Sequence, residues 1–420
     1  MLASNEGWKP STLGEYFRIM HGYAFKGKFF AQEGQYVVLT PGNFNPDGGI
    51  KLKGEKEKYY TGDFPDEYLL QRGELLVVMT DLTQNAPILG SPAFVPDGDR
   101  FLHNQRLGKI VELDQSRMDK RFLYYLFNSH SVRAQIKASA TGATVRHTAP
   151  SRIYDVEVDV PPLPPQRKIA AILSAYDDLI ENNTRRIALL EQMAQALYRE
   201  WFVHFRFPGH EDVPLVDSPL GPIPEGWQVK RLEDVCDLLI GQSPKSEFYN
   251  EEGKGLPFHQ GVKDFGDLFP VTRVYCTDTR RIAESGDILF SVRAPVGRMN
   301  IADRRIVVGR GLHAIRSKTG NQSFVFWQLK EKFYEEDIMG GGTIFKAVTK
   351  ADILGLELLI PPTETIARFE QVANPILAAL EIFTAKNANL RRTRDLLLPR
   401  LISGQLDVSN LPIDTGGLDA

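Results

Sequence analysis

The sequence predicts a mixed α/β (α+β) protein organised as a pseudo-two-fold repeat, with two mixed α/β domains joined by two long antiparallel helices. Three observations predict it: an ungapped internal match at a spacing of two hundred residues, two long apolar stripes at helical period, and a proline-rich stretch between the copies.

The internal match is anchored by Pro161-Pro162, which recurs as Pro361-Pro362. Before the prolines, Ile153 to Val160 aligns with Ile353 to Ile360, an alternating, β-prone segment in both copies. After them, Glu181, Thr184, Leu190 and Leu197 reappear as Glu381, Thr384, Leu390 and Leu397. Each copy opens on Gly-Trp, at Gly7-Trp8 and Gly226-Trp227, and passes through short β-like runs such as Glu74 to Thr80 and Asp287 to Val292. The predicted layout is a first α/β domain over 1–160, a helix over 161–206, a connector over 207–225, a second domain over 226–360, a helix over 361–404 and a tail over 405–420.

In the first helix, positions alternately four and three apart give Ile169, Leu173, Tyr176, Ile180, Asn183, Ile187, Leu190, Ala194, Leu197 and Trp201. The second stripe is Phe369, Ala373, Ile376, Leu380, Phe383, Asn387, Leu390, Arg394, Leu397 and Leu401. Matching stripes predict that the helices pack on each other, each roughly 50 Å long at a rise of about 1.5 Å per residue. Asn183 and Asn387 interrupt the stripes, either as polar residues that fix register or as positions near solvent. Pro375 is expected to bend or break the second helix, and Pro399 to end it before Gly404. Between the copies, prolines at 208, 214, 219, 222 and 224 predict an extended connector and a domain boundary.

A chain of 420 residues with 42% hydrophobic and 25% charged residues reads as two or more soluble globular domains. Two cysteines, Cys236 and Cys276, lack the pairing of a disulfide framework or a zinc site, which suits a reducing cytoplasm. No apolar run is long enough to span a bilayer, and the first residues lack the features of a signal peptide, so no membrane partner is expected. A net charge of -3 leaves nucleic-acid binding open, because local basic density decides it.

Motifs for catalysis are missing. The chain has no Gly-x-x-x-x-Gly-Lys-Ser/Thr phosphate loop, no glycine-rich methyl-donor loop and no Asn/Asp-Pro-Pro-aromatic motif. Glu55-Lys56-Glu57-Lys58 resembles a nuclease carboxylate-lysine cluster but reads better as a solvated loop, and the histidines lack metal-ligand spacing. Gly340-Gly341-Gly342 is a weak signal, of interest because it falls where Thr141-Gly142-Ala143-Thr144 stands in the first copy. No catalytic residue and no metal site is predicted.

Basic residues point to nucleic acid instead. Between Arg273 and Lys318 there are ten Lys or Arg against four acids, a density suited to phosphate contact and to bidentate reading of guanine. The candidate DNA-contacting residues are Lys26, Lys28, Asn43, Thr80, Gln105, Arg106 and Arg146 in the first domain, and Gln242, Lys245, Gln260, Arg293, Arg298, Arg310 and Lys346 in the second. Shared frame positions with unlike loops imply two different half-sites.

Several segments together resemble the specificity subunits of type I restriction-modification enzymes. They are Pro161-Pro162-Leu163-Pro164-Pro165-Gln166-Arg167-Lys168-Ile169-Ala170, the helix through Leu189-Leu190-Glu191, the connector Leu220 to Trp227, and Leu396-Leu397-Leu398-Pro399-Arg400-Leu401-Ile402-Ser403-Gly404. The resemblance implies that each α/β domain is a target-recognition domain for double-stranded DNA, and that the helices separate the two and dock two modification (methyltransferase) subunits, with a restriction/translocase subunit able to join. The expected docking positions are Ile169, Leu173, Ile180, Ile187, Leu190, Leu197, Leu380, Leu390 and Leu397. S-adenosylmethionine, ATP and magnesium would bind the partner subunits, and none of them this chain. The second copy departs from the family's Pro-Pro-x-x-Glu-Gln pattern with Pro361-Pro362-Thr363-Glu364-Thr365-Ile366, where Thr363 is a candidate helix cap. A self-contained nuclease or methyltransferase and a structural coiled-coil adaptor are the competing classes; turnover by the protein alone would favour the first, and salt-insensitive or absent DNA binding the second.

Overall fold

The computed structural model describes residues 7–96, 98–333, 338–339, 343–344 and 348–415. The chain divides into two compact units, Met1–Leu179 with Leu390–Ala420, and Ile180–Asn389. The division falls inside each long helix, so each unit owns part of both helices, and the proline-rich connector lies wholly within the second unit.

The two units repeat one topology. In the first, strands Arg18–His21, Leu107–Val111, Leu75–Val78 and Pro92–Phe94 form an antiparallel four-stranded sheet in that order. In the second, Cys236–Ile240, Leu312–Ser317, Ile288–Ser291 and Met299–Ile301 form the same sheet. Leu75–Val78 and Ile288–Ser291 are continuously buried, as expected of inner strands covered on both faces. A five-stranded sheet in each unit contains one parallel pair, Tyr36–Leu39 beside Phe101–His103 and Leu256–His259 beside Ile306–Val308.

A helix follows each four-stranded sheet, Lys120–Asn128 or Gln322–Lys332, and then the closing strand pairs with the start of the domain. Glu157–Val160 pairs antiparallel with Lys9–Thr12, and Glu357–Ile360 with Gln228–Arg231. The prolines then launch the long helices, Leu163–Tyr198 (36 residues) and Thr363–Ile402 (40 residues). At about 1.5 Å per residue these are about 54 and 60 Å long. Pro164 and Pro165 lie in the first turn, where no backbone donor is needed. Thr363 is itself the first helical residue rather than the cap, and the Pro362 carbonyl accepts the first bond, from Ile366 N at 3.2 Å.

The departure at the second Pro-Pro element has a packing explanation. Gln166 is fully buried in the first unit; its Oε1 accepts from Asp119 N (2.7 Å), and its Nε2 donates to the carbonyls of Arg117 and Pro161 (both 2.8 Å). Its counterpart Ile366 is buried among apolar side chains in the second unit, so the polar tie is replaced by hydrophobic contact.

Pro375 does not interrupt the second helix, and Pro399 does not end it; the helix runs on to Ile402, with Gly404 in the left-handed region at φ +70° just beyond. Both prolines are exposed, as are Gln371 and Asp395, whose carbonyls lose their helical donors and can turn to water instead. The connector is not simply extended. The first helix passes into a π-type turn at Arg199–Val203, and Leu215–Val216 then pairs with Ile223–Pro224 as a hairpin. Phe202, Phe207 and Trp227 are buried together, with ring centroids 5.8 Å apart for Phe202–Trp227 and 5.2 Å for Phe207–Trp227. Aromatic burial therefore anchors the connector to the second core.

No helix among the described residues is long and apolar enough to cross a membrane, and no group of three or more His, Cys, Asp or Glu side chains among them could hold a metal. Cys236 and Cys276 are both free and buried.

Candidate nucleic-acid interface

Register in the four-stranded sheet places one set of loops together at one end of each unit. In the second unit, His313 pairs with Ile240, and Leu312 with Ser291. The residues just beyond, Gly241-Gln242, Val292-Arg293 and Arg310-Gly311, therefore emerge side by side. Backbone bonds tie these loops to one another, with Val292 N donating to the Gly311 carbonyl at 3.1 Å and Gly311 N to the Gln260 carbonyl at 3.1 Å.

These loops enclose a cavity of about 560 Å³ whose lining includes Tyr249, Gln260, Lys263, Asp264, Arg273, Arg293 and Arg310. Tyr249 stacks on Phe258 with centroids 4.6 Å apart, which gives the cavity an aromatic wall. Ser243 ties the loops together, its Oγ accepting from Arg310 N (3.3 Å) and Gln260 Nε2 (3.5 Å).

Arginine density overstates the free charge in this region. Arg273 pairs with Asp264, Arg280 with Asp278, Arg304 with Asp303, Arg305 with Glu284 and Arg316 with Asp287. Hydrogen bonding by Asp278 raises the Arg280 pKa and lowers that of Asp278, and bonding by Asp287 likewise raises that of Arg316. Exposed Arg293 and Arg310 have no carboxylate partner among the described residues and open onto the cavity. Arg298 is exposed on the same strand-end turn, where its backbone N donates to Ser291 Oγ at 2.9 Å. Gln242 is exposed, and Lys245 is exposed and 3.7 Å from Glu247. Lys346, like the 340–342 glycine run, lies outside the described residues.

The equivalent end of the first unit carries Tyr23, Thr80, Gln105 and Arg106. Gln105 N donates to the Tyr23 carbonyl at 3.0 Å, and Met79 N to the Arg106 carbonyl at 2.9 Å, repeating the bond between Val292 and Gly311. Gln105, Arg106, Lys26 and Lys28 are exposed, and the Lys28 ammonium lies 4.8 Å from the Phe29 ring centroid. One glycine in each unit permits the close approach of loop and hairpin. A Cβ on Gly22 would lie 2.1 Å from the Asn104 carbonyl oxygen, and one on Gly241 would lie 2.2 Å from that of Gly309.

Three first-unit candidates are not free to read a base. Asn43 is buried: its Oδ1 accepts from Thr40 N (3.0 Å) and Lys53 Nζ (3.1 Å), and its Nδ2 donates to Glu57 (3.0 Å). It braces the short helix Pro41–Asn43. Thr80 is buried and shares a 3.0 Å hydrogen bond with His147 Nδ1. Arg146 is half-buried and donates to the Lys137 carbonyl at 3.0 Å. Lys263 was missed by sequence reasoning. It lies in the short helix Val262–Asp264 beside Asp264, which holds the place of Asn43 in the first copy: Gln260 N donates to the Asp264 carboxylate (3.2 Å) as Thr40 N does to Asn43 Oδ1 (3.0 Å), a correspondence visible only once the strands are matched.

The expected docking positions also need correction. Ile169, Leu173, Ile180 and Leu380 are buried within the chain, and Ile187, Leu190, Leu197, Leu390 and Leu397 are partly buried. The large apolar side chains that the helices leave exposed are others: Leu179 (52%) and Leu396 (65%) in the first unit, and Leu189 (58%), Met193 (52%), Val372 (47%) and Ile382 (52%) in the second.

A duplicated α+β domain with strand-end loops of cations and amides, each closed by a long helix, defines a class of two-domain recognition proteins. The sequence profile of the type I restriction modification DNA specificity domain matches twice, at residues 5–192 and 224–396, and the chain belongs to that family. It is similar to the type I restriction enzyme MjaIX specificity subunit of Methanocaldococcus jannaschii, 29% identical over 79% of this chain and 78% of the relative. It is also similar to the EcoBI specificity subunit of Escherichia coli, 30% identical over 73% of this chain and 65% of the relative. Its fold matches the crystal structure of a type I restriction-modification S subunit from M. genitalium, with a TM-score of 0.62 and 16% identity over 96% of this chain and 98% of that one. The chain is thus a non-catalytic DNA-recognition subunit of a restriction-modification system.

Proposed function

We propose that this subunit reads a bipartite, asymmetric DNA target, one half-site per unit, and docks modification subunits, two in number, together with a restriction subunit. The observation that carries this reading is the repeated strand-end scaffold with unlike side chains: Gln105 and Arg106 in one unit, and Gln242, Gln260, Arg293 and Arg310 in the other. Identical frames with different donors and acceptors read different bases, while neighbouring lysines supply phosphate contacts that fix register. The exposed apolar residues of the long helices offer the partner subunits apolar area whose removal from water would favour docking.

The modification subunits would carry S-adenosylmethionine and methylate adenine, and the restriction subunit would use ATP and magnesium; this chain would hold none of them and would work in the cytoplasm. Co-expression with the cognate modification subunit, followed by single-molecule sequencing of adenine methylation across a genome, tests the reading. A split, asymmetric motif with a fixed unread gap is the expected result. Methylation at an undivided site, or none, would overturn it.

A further inference from the structure

We propose that Arg293 and Arg310 form a guanine-reading pair, so that the half-site of the second unit contains a G·C pair that these two guanidiniums specify. This rests on the DNA-reading function above and assigns its chemistry at one place.

The register is the first observation. Ser291 pairs with Leu312, and Val292 N donates to the Gly311 carbonyl, so Arg293 and Arg310 follow the same end of this strand pair, Arg310 within the turn that Leu312 N closes on the Gly309 carbonyl at 3.0 Å. Like charges brought to one end of a strand pair repel each other. Neither is within ion-pair distance of a carboxylate among the described residues, although five arginines between Arg273 and Arg316 are each matched to an acid. Two guanidiniums without an ion pair on one concavity leave donors that a bound ligand rich in acceptors would satisfy.

The second observation is the cavity. Both guanidiniums line the same 560 Å³ concavity, which is large enough to admit the edge of a base. A planar guanidinium donates two parallel N–H bonds, matching the O6 and N7 acceptors of guanine, whereas an ammonium offers a point charge better suited to phosphate. Exposed Lys245 and Lys263 on neighbouring loops provide such point charges.

The third observation is the repeat itself. Val78 pairs with Leu107, and Met79 N donates to the Arg106 carbonyl, so the corresponding positions in the first unit hold Thr80 and Gln105. Thr80 is committed to His147, which leaves the exposed Gln105 amide, whose paired donor and acceptor match the N7 and N6 of adenine. One pair of positions of a duplicated scaffold thus carries arginines for guanine in one copy and an amide for adenine in the other.

The test is selection from a random duplex pool by the full-length chain in complex with its modification subunits, using wild type, Arg293→Lys, Arg310→Lys and Gln105→Ala. Each lysine variant keeps the charge and loses the fork. The expected result is a roughly ten- to hundredfold loss of preference at a G·C position of one half-site, with the other half-site and the salt dependence unchanged. Gln105→Ala is expected to relax an A·T position in the opposite half. If wild type selects a motif and the lysine variants select the same one with equal preference, the arginines contact phosphate and the assignment is overturned. If wild type enriches no sequence, the sequence-reading function itself falls, and this assignment with it.

Discussion

Asn183 donates a 3.0 Å hydrogen bond from its side-chain amide to the side-chain oxygen of Asn387, inside the apolar seam where the two long helices meet in the second unit. Asn387 completes the network by donating to Thr184 Oγ1 (3.1 Å) and to the Ile180 carbonyl (3.3 Å). The two asparagines are 8% and 2% exposed, so they are register residues rather than solvent-facing ones. A buried polar pair at one level of a seam is satisfied only when the helices align there, and any slip leaves its donors and acceptors unpaired.

Asn387→Leu alone should destabilise the protein by about 1–3 kcal/mol, because the Asn183 amide is left buried without its acceptor. Asn183→Leu with Asn387→Leu should recover much of that loss while weakening the specification of register. Chemical denaturation of the two single variants and the double checks the non-additivity; additive losses would show that the pair is not coupled.

In the first unit, Asp177 accepts from both Tyr125 Oη and Arg394 Nη1 at 2.6 Å. Burial and the neighbouring carboxylate hold the Tyr125 phenol well above the ordinary tyrosine range. Asp177→Ala should cost about 1–3 kcal/mol, since it strands a buried phenol, while Asp395 keeps Arg394 partly matched. In denaturant melts, Tyr125→Phe added to Asp177→Ala should cost less than Tyr125→Phe alone.

His103 is fully buried, and its Nε2 donates to the Leu107 carbonyl at 2.9 Å while Nδ1 has no partner among the described residues. Burial, above all, pulls its pKa from 6.5 down to about 4. Between those pH values the unfolded chain takes up a proton that the folded one refuses. Stability is therefore full above pH 6.5 and falls as pH drops toward 4, by about 3 kcal/mol at most from this group. Urea midpoints from pH 7.5 to 4 should show this slope in wild type, and His103→Gln should flatten it.

Gly241→Ala should force the loop off the Gly309 hairpin, because the added carbon would sit 2.2 Å from a carbonyl oxygen that cannot yield without moving backbone. The expected cost is about 1–3 kcal/mol of stability. It should be accompanied by weaker DNA binding, as the strand-end loops are displaced. Thermal melting with DNA titration by fluorescence anisotropy measures both, and an unchanged melt with unchanged affinity would contradict the close approach.

The repeat, the helices and their seam positions were legible from the sequence, because duplication preserves spacing and a buried stripe imposes a period that side chains cannot hide. The same logic limited the reading wherever partners are distant in sequence. The arginine run between Arg273 and Lys318 looked uniformly available, yet Asp287 neutralises Arg316 across 29 residues, and only strand pairing brings the two together. Asn43 looked like a base reader because an amide carries no sign of burial; Glu57 and Lys53 enclose it. Pro375 and Pro399 looked like helix breakers, but their exposed faces let water take the freed carbonyls.

By itself, then, the sequence determined the duplicated α+β architecture and the family, both of which rest on local patterns repeated in order. Only the tertiary structure decided which cations lack an ion pair among the described residues, which apolar helix residues face outward, and that Arg293 and Arg310 line one cavity. Charge compensation and burial depend on neighbours in space, and a linear pattern does not encode those until the strands have paired.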